Sequence, residues 1–156
     1  MTDVNHLRDL LASPLNIVIT THRKPDGDAM GASLAMYNVL CQKGHRVHFI
    51  SPTEFPDFYK WLPGSQDIVV YTESEQQCAD LTYAADLIFC LDYNSLNRVN
   101  EMGHYINHAA GKKVLIDHHP DPDGFADFNY SKPTASSTAE MIYDFLEMIQ
   151  HSGSIN

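Results

Sequence analysis

Basic residues are scarce: 10 Lys plus Arg stand against 20 Asp plus Glu, a formal net charge of -10 over 156 residues. Without a basic surface to displace condensed counterions, the chain has no means of gripping duplex DNA through its phosphates. Any phosphate-bearing ligand must meet local positive charge, from a few placed side chains or from bound metal. Cysteine is nearly absent as well. Cys41, Cys78 and Cys90 are widely spaced and form no CxxC pair, which argues against a disulfide framework and a thiolate zinc site; Cys90 lies in an apolar run and reads as core. Long hydrophobic runs are missing. "NIVIT" and "DLIFCLD" fall far short of the roughly 20 apolar residues that span a bilayer, and "MTDVNHLRDLL" has no basic stretch leading into an apolar one. No membrane partner and a cytoplasmic location are therefore expected. With 44% hydrophobic and 19% charged residues, the chain can bury the core of one domain over 1–156, and disorder is not expected.

What the sequence does contain is an alternation of short β-type runs and helical stretches. The runs are Asn16 to Thr20, Arg46 to Ile50, Asp67 to Tyr71, Asp86 to Leu91 and Lys113 to Ile116, several nearly all apolar, as strands covered on both faces are. The clearest helix has Asp28 as its N-cap and stops at Gly44. Others are read at Glu73 to Tyr83, Ser95 to Ala109, Ser137 to Gln150 and Val4 to Leu11. The fold class that follows is α/β, a mainly parallel five-stranded sheet with helices on both faces. The Pro- and aromatic-rich "SPTEFPDFYKWLPGS", Ser51 to Ser65, reads as a packed connection, with peptide binding the lesser reading.

In such a sheet, ligands bind beyond the carboxyl ends of the strands. Polar clusters collect there: His22, Asp26 and Asp28 after the first strand, Asp92 after the fourth, and Asp117, His118 and His119 after the fifth. Taken singly, "PDGD" is a turn with a helix cap, His22 an ordinary loop histidine and Asp92 another cap. "DHH" resists such a reading, because an aspartate beside two histidines at the end of an apolar strand costs desolvation unless the groups are paired or ligated. Three loops delivering four carboxylates and three imidazoles to one sheet edge favour function.

Carboxylates crowded together repel and raise their own pKa values unless cations neutralise them. Divalent metal is the economical answer. Mixed carboxylate and imidazole donors without thiolate suit Mn²⁺ or Mg²⁺, with Zn²⁺, Co²⁺ or Fe²⁺ also open. The donors suffice for two ions about 3.5 to 4 Å apart, a pair that activates a water and clamps a phosphoryl oxygen.

"HRKPDGDAMGAS", "LDYNSLNR" and "DHHP" resemble the first three motifs of the DHH phosphoesterases, and "ASSTAEMIY" resembles a segment that follows them in the branch of oligoribonucleases and pAp phosphatases. The resemblance runs from about Asn16 to Phe145. It implies a manganese-preferring phosphohydrolase in which His22 and Asp26 bind one ion, Asp28 and His118 the other, and Asp92 bridges them. It further implies that Asp117 orients the histidine pair, that His119 faces the scissile phosphate, and that Arg98 either contacts phosphate or pairs with an aspartate. The expected substrates are phosphate esters of short single-stranded RNA or pAp-type mononucleotides. Cyclic dinucleotides or polyphosphate on the same site, and a non-catalytic metal or nucleotide module, are alternatives; a homodimer stays open. A dinucleotide-binding domain fails on detail, since "GDAMG" lacks GxGxxG spacing and sets carboxylates where a pyrophosphate needs bare backbone.

Two features complete the reading. "STAE", Ser137 to Glu140, is a capping box whose helix N-terminus is also compatible with an anion. His6, His45, His48, His104, His108 and His151 have no ligand-like setting; His104 and His108 are i, i+4 on a presumed solvated helix face. The family branch carries a fourth aspartate motif and a second, substrate-binding domain. This sequence shows neither, and the expectation is the N-terminal DHH domain of a larger enzyme, or a reduced relative.

Overall fold

A computed structural model describes residues 4–150. Six strands form one sheet: β1 (Asn16–Thr20), β2 (Arg46–Ser51), β3 (Val69–Val70), β4 (Leu87–Leu91), β5 (Lys112–Asp117) and β6 (Phe128–Ser131). Their order is β3-β2-β1-β4-β5-β6, and every neighbouring pair is parallel. Five α-helices cover the sheet: α1 (Val4–Leu10), α2 (Gly27–Gln42), α3 (Glu75–Ala84), α4 (Met102–His108) and α5 (Thr138–Gln150).

The strand alternation builds two cores. Ile17 and Ile19 of β1 with Leu87, Phe89 and Leu91 of β4 join Leu7 of α1, Met30 and Met36 of α2, and Met141 and Phe145 of α5. Val18, Ile88 and Cys90 face the other way, toward Cys78 of α3 and Met102 and Ile106 of α4. Both faces of the central strands are thus apolar, which explains why "LIFCL" is buried throughout. Phe145 seats α5 on the sheet through edge contacts with Phe89 and Tyr130, ring centroids 6.0 and 5.4 Å apart. That anchorage aims the N-terminus of α5 at the carboxyl edge.

Several boundaries differ from the sequence reading, each for a local reason. The sheet gains a sixth strand, β6, a four-residue edge segment too short for its alternation to stand out. The third strand shrinks to Val69–Val70, because Ser65–Asp67 closes a 3-10 turn instead. The stretch Ser95 to Ala109 splits into a 3-10 turn, Leu96–Val99, and α4, with Asn100 between them at φ 55°. The N-cap of α2 is Asp26, whose side chain accepts from the Ala29 N–H, and not Asp28, which sits in the first turn. Gly44 does end that helix, in the left-handed region at φ 95° where a side chain would be strained. No helix among the described residues is long and apolar enough to cross a membrane.

Candidate metal centre

The order of the sheet reverses between β1 and β4, and crevices form where strand order reverses. His22 follows β1 by two residues and Asp92 follows β4 directly, so both flank this switch point. Asp92 holds φ 68°, a left-handed conformation that aspartate tolerates better than most residues. Its N–H donates to the Ile116 carbonyl at 3.0 Å, which locks the turn against β5 and keeps the carboxylate over the sheet edge at 3% exposure. Thr21 Oγ1 donates to the Leu91 carbonyl at 3.0 Å and ties the exits of β1 and β4 together.

The two oxygens of Asp92 serve different histidines. Oδ2 lies 3.3 Å from His22 Nε2, and Oδ1 lies 3.4 Å from His118 Nε2. His22 Nε2 is also 3.9 Å from Asp26 Oδ1, while His118 Nε2 is 3.6 Å from Asp28 Oδ2. His22 Nδ1 donates to the Arg23 carbonyl at 2.7 Å, and a ring oriented in this way presents Nε2 to the carboxylates. Two groups of three donors result, His22 with Asp26 and Asp92, and Asp92 with His118 and His119, each with its ligand atoms within 4.8 Å of one another. Asp92 belongs to both.

Asp117 ends β5 with no exposure. Its Oδ2 accepts from the His119 N–H at 3.0 Å and its Oδ1 from His119 Nδ1 at 2.6 Å, so it holds His119 and not both histidines of the pair. Arg98 lies in the 3-10 turn after β4, half-buried, and its carbonyl accepts from the Arg23 N–H at 2.7 Å. Its guanidinium has no hydrogen-bond partner among the described residues, so pairing with an aspartate is not what holds it.

Interleaving imidazoles with carboxylates reverses the expected electrostatics. Burial works to raise the pKa of Asp92, but hydrogen bonds from His22 and Thr138 outweigh it and hold the carboxyl below its ordinary value. Burial likewise works to lower His22, and the Asp92 hydrogen bond, the Arg23 carbonyl and the charges of Asp92 and Asp26 outweigh it, holding the imidazole above its ordinary value. The crowding that would raise the carboxylates is thus relieved for Asp92 by its neighbours.

The sequence reading missed Thr138. The residue is fully buried, and its Oγ1 donates to Asp92 Oδ1 at 2.8 Å. The Thr138 and Ala139 N–H groups donate to Asp28 Oδ2 and Oδ1 at 3.0 and 2.9 Å. The capping box was the available signal: Ser137 Oγ accepts from the Glu140 N–H at 3.1 Å, although Glu140 reaches back to Ser136 at 3.0 Å and not to Ser137. The anion at this helix N-terminus is the protein's own Asp28. The histidines read as lacking a ligand setting stay apart from the cluster where they are described; His104 and His108 lie side by side on the exposed face of α4, ring centroids 4.4 Å apart and tilted by 41°, and His151 lies outside the described residues.

A parallel α/β domain with buried aspartate and histidine at its switch point is the class that fold and site define. The chain belongs to the DHH family: the description "DHH family, N-terminal domain" matches residues 16–156. The chain is similar to a crystal structure of an exopolyphosphatase-related protein from Bacteroides fragilis, with TM-score 0.92 and 38% identity, covering 95% of this chain and 44% of that one. It is 29% identical over 133 residues to the bifunctional oligoribonuclease and PAP phosphatase NrnA of Thermus thermophilus, covering 85% of this chain and 37% of the relative. It is 27% identical over 154 residues to the cyclic-di-AMP phosphodiesterase GdpP of Geobacillus thermodenitrificans, covering 90% of this chain and 22% of the relative. The chain thus spans less than half the length of each.

Proposed function

We propose that this domain is a metal-dependent phosphohydrolase acting on phosphate esters of short oligoribonucleotides or pAp-type mononucleotides, with Mn²⁺ as the preferred ion. The observation that carries the reading is the division of Asp92, one oxygen toward His22 and the other toward His118. A carboxylate shared in this way fits two adjacent ions, and the surrounding donors are carboxylate and imidazole without thiolate, a set suited to Mn²⁺ or Mg²⁺ and open to Co²⁺. On this reading His22 and Asp26 complete one ion's protein ligands and Asp28 and His118 the other's. When bound, such a pair lowers the pKa of a water and neutralises charge developing on a phosphoryl group.

The chain's own residues take the remaining tasks. His119, held by Asp117 through Nδ1, keeps Nε2 for a phosphate oxygen or a leaving group, as an electrostatic stabiliser or proton donor. Arg98, half-buried and with its guanidinium free of hydrogen-bond partners among the described residues, supplies positive charge to phosphate in a protein of net charge -10. The names of the Thermus and Geobacillus relatives support phosphoester cleavage. The latter, with the Bacteroides exopolyphosphatase-related protein, also supports a second reading, cyclic dinucleotide or polyphosphate hydrolysis on the same site.

Hydrolysis with and without Mn²⁺ of pAp and polyphosphate, read as phosphate release, and of a short oligoribonucleotide and a cyclic dinucleotide, read as nucleoside monophosphate and linear dinucleotide products, separates these readings. Mn²⁺-stimulated turnover of pAp or the oligonucleotide is expected. Turnover confined to the other two substrates would select the second reading, and none at all would leave a binding module.

A further inference from the structure

The first turn of α5 makes three hydrogen bonds into the cluster: two give orphan N–H groups of the helix a partner in Asp28, and the third, from the Thr138 hydroxyl, plays no part in capping. Ser137 already satisfies the Glu140 N–H. Thr138 contributes two of the three, its hydroxyl to Asp92 and its N–H to Asp28, and Ala139 adds the third through its N–H. We infer that Thr138 is a positioning residue of the metal centre, its hydroxyl fixing the rotation of the Asp92 carboxylate so that each histidine faces its own oxygen. The inference rests on reading the cluster as a divalent-metal site.

The Asp92 carboxylate has rotational freedom that must be restrained. The terminal torsion of an aspartate is broad and nearly two-fold, and the contacts of 3.3 and 3.4 Å to the two imidazoles are too long to hold it firmly. At 2.8 Å the Thr138 hydroxyl makes the shortest of the three contacts. It adds no charge, and it occupies one lone pair of Oδ1 while leaving the remaining one available. A β-branched residue has few χ1 options in a helix, and Thr138 is fully buried, so the hydroxyl itself is fixed. The N–H groups of Thr138 and Ala139 do the same for Asp28 by gripping both of its oxygens, with the positive end of the helix behind them. Phe145, about two helical turns from Thr138, then matters to the centre because it seats α5.

Thr138→Val keeps the shape and the backbone N–H and deletes the hydroxyl; Thr138→Ser restores it. Calorimetric titration of the full chain with Mn²⁺, paired with thermal unfolding of the metal-free proteins, reads binding apart from turnover. The expected result is affinity about 10- to 100-fold weaker in Thr138→Val, the range for residues that orient metal ligands, with Thr138→Ser close to wild type and metal-free melting little changed. Thr138→Ala, which leaves space and no apolar intruder, should reproduce the loss if the valine variant folds poorly. Wild-type affinity in the Val and Ala variants would overturn the inference, as would an equal loss in the serine variant, which would trace the effect to packing. A wild-type chain that binds no Mn²⁺ would instead overturn the metal-centre reading beneath it.

Discussion

Asp117 holds His119 by two bonds, accepting from its backbone N–H at 3.0 Å and from its ring Nδ1 at 2.6 Å. A buried carboxylate spent in this way fixes both the position and the orientation of one imidazole, the arrangement seen wherever a histidine must deliver its far nitrogen to a reacting group. His118, one residue earlier, faces Asp92 and Asp28 instead.

The division of labour between these adjacent histidines gives a first prediction. His119→Ala should lower Mn²⁺-dependent phosphate release by about 10²- to 10⁴-fold, the usual range for a general acid–base group, while Mn²⁺ binding changes little. His118→Ala should weaken binding itself. Calorimetry and a phosphate-release assay on the same preparations check the split; equal losses of binding in both variants would contradict it.

Asp26 performs two tasks that substitution can separate. Its Oδ1 accepts from the Ala29 N–H at 3.0 Å as the cap of α2 and lies 3.9 Å from His22 Nε2. Asp26→Asn keeps an acceptor and removes the charge, so metal-free stability should be close to wild type and Mn²⁺ affinity lower. Asp26→Ala should lose the affinity and also about 1 kcal/mol of stability from the missing cap, measured by urea unfolding without metal.

His45 supplies a pH dependence away from the centre. Burial, with the nearby charge of Lys43, lowers its pKa from the ordinary 6.5, and its Nδ1 accepts from the Leu15 N–H at 3.1 Å. The unfolded chain binds the proton more readily than the folded one, so this contribution to stability is complete above about pH 6.5 and is lost as the pH falls toward the lowered value. His45→Asn retains an acceptor for Leu15 and cannot titrate. Its metal-free stability between pH 7.5 and 5 should fall less steeply than that of the wild type; parallel curves would contradict the assignment.

How far the sequence reaches is clear from particular residues. β1 and β4 were legible because burial on both faces leaves an uninterrupted apolar run, and the residues just beyond them were legible as candidate-site residues because charge has no packing role there. Asp26 and Asp28 could not be told apart as caps, since both flank one glycine and only the backbone angles decide. β6 was hidden by its four-residue length, and the break at Asn100 by a positive-φ backbone, φ 55° and ψ -138°, that carries no sequence signature. Thr138 was hidden for a different reason. Its partner Asp92 is 46 positions away, and nothing local in "STAE" distinguishes a helix that caps only itself from one that also holds a carboxylate from another strand.

Whether Asp92 serves two ions at once is decided by calorimetric titration of the wild-type chain and of Asp92→Ala with Mn²⁺. Two unequal sites are expected in the wild type. The tighter is expected at His22 and Asp26; the weaker is expected at Asp28 and His118, where the bonds from α5 that position Asp28 leave each of its oxygens one lone pair for an ion. Asp92→Ala should lose both. Two equally tight sites, no binding, or binding that survives intact in Asp92→Ala would contradict the shared role of Asp92.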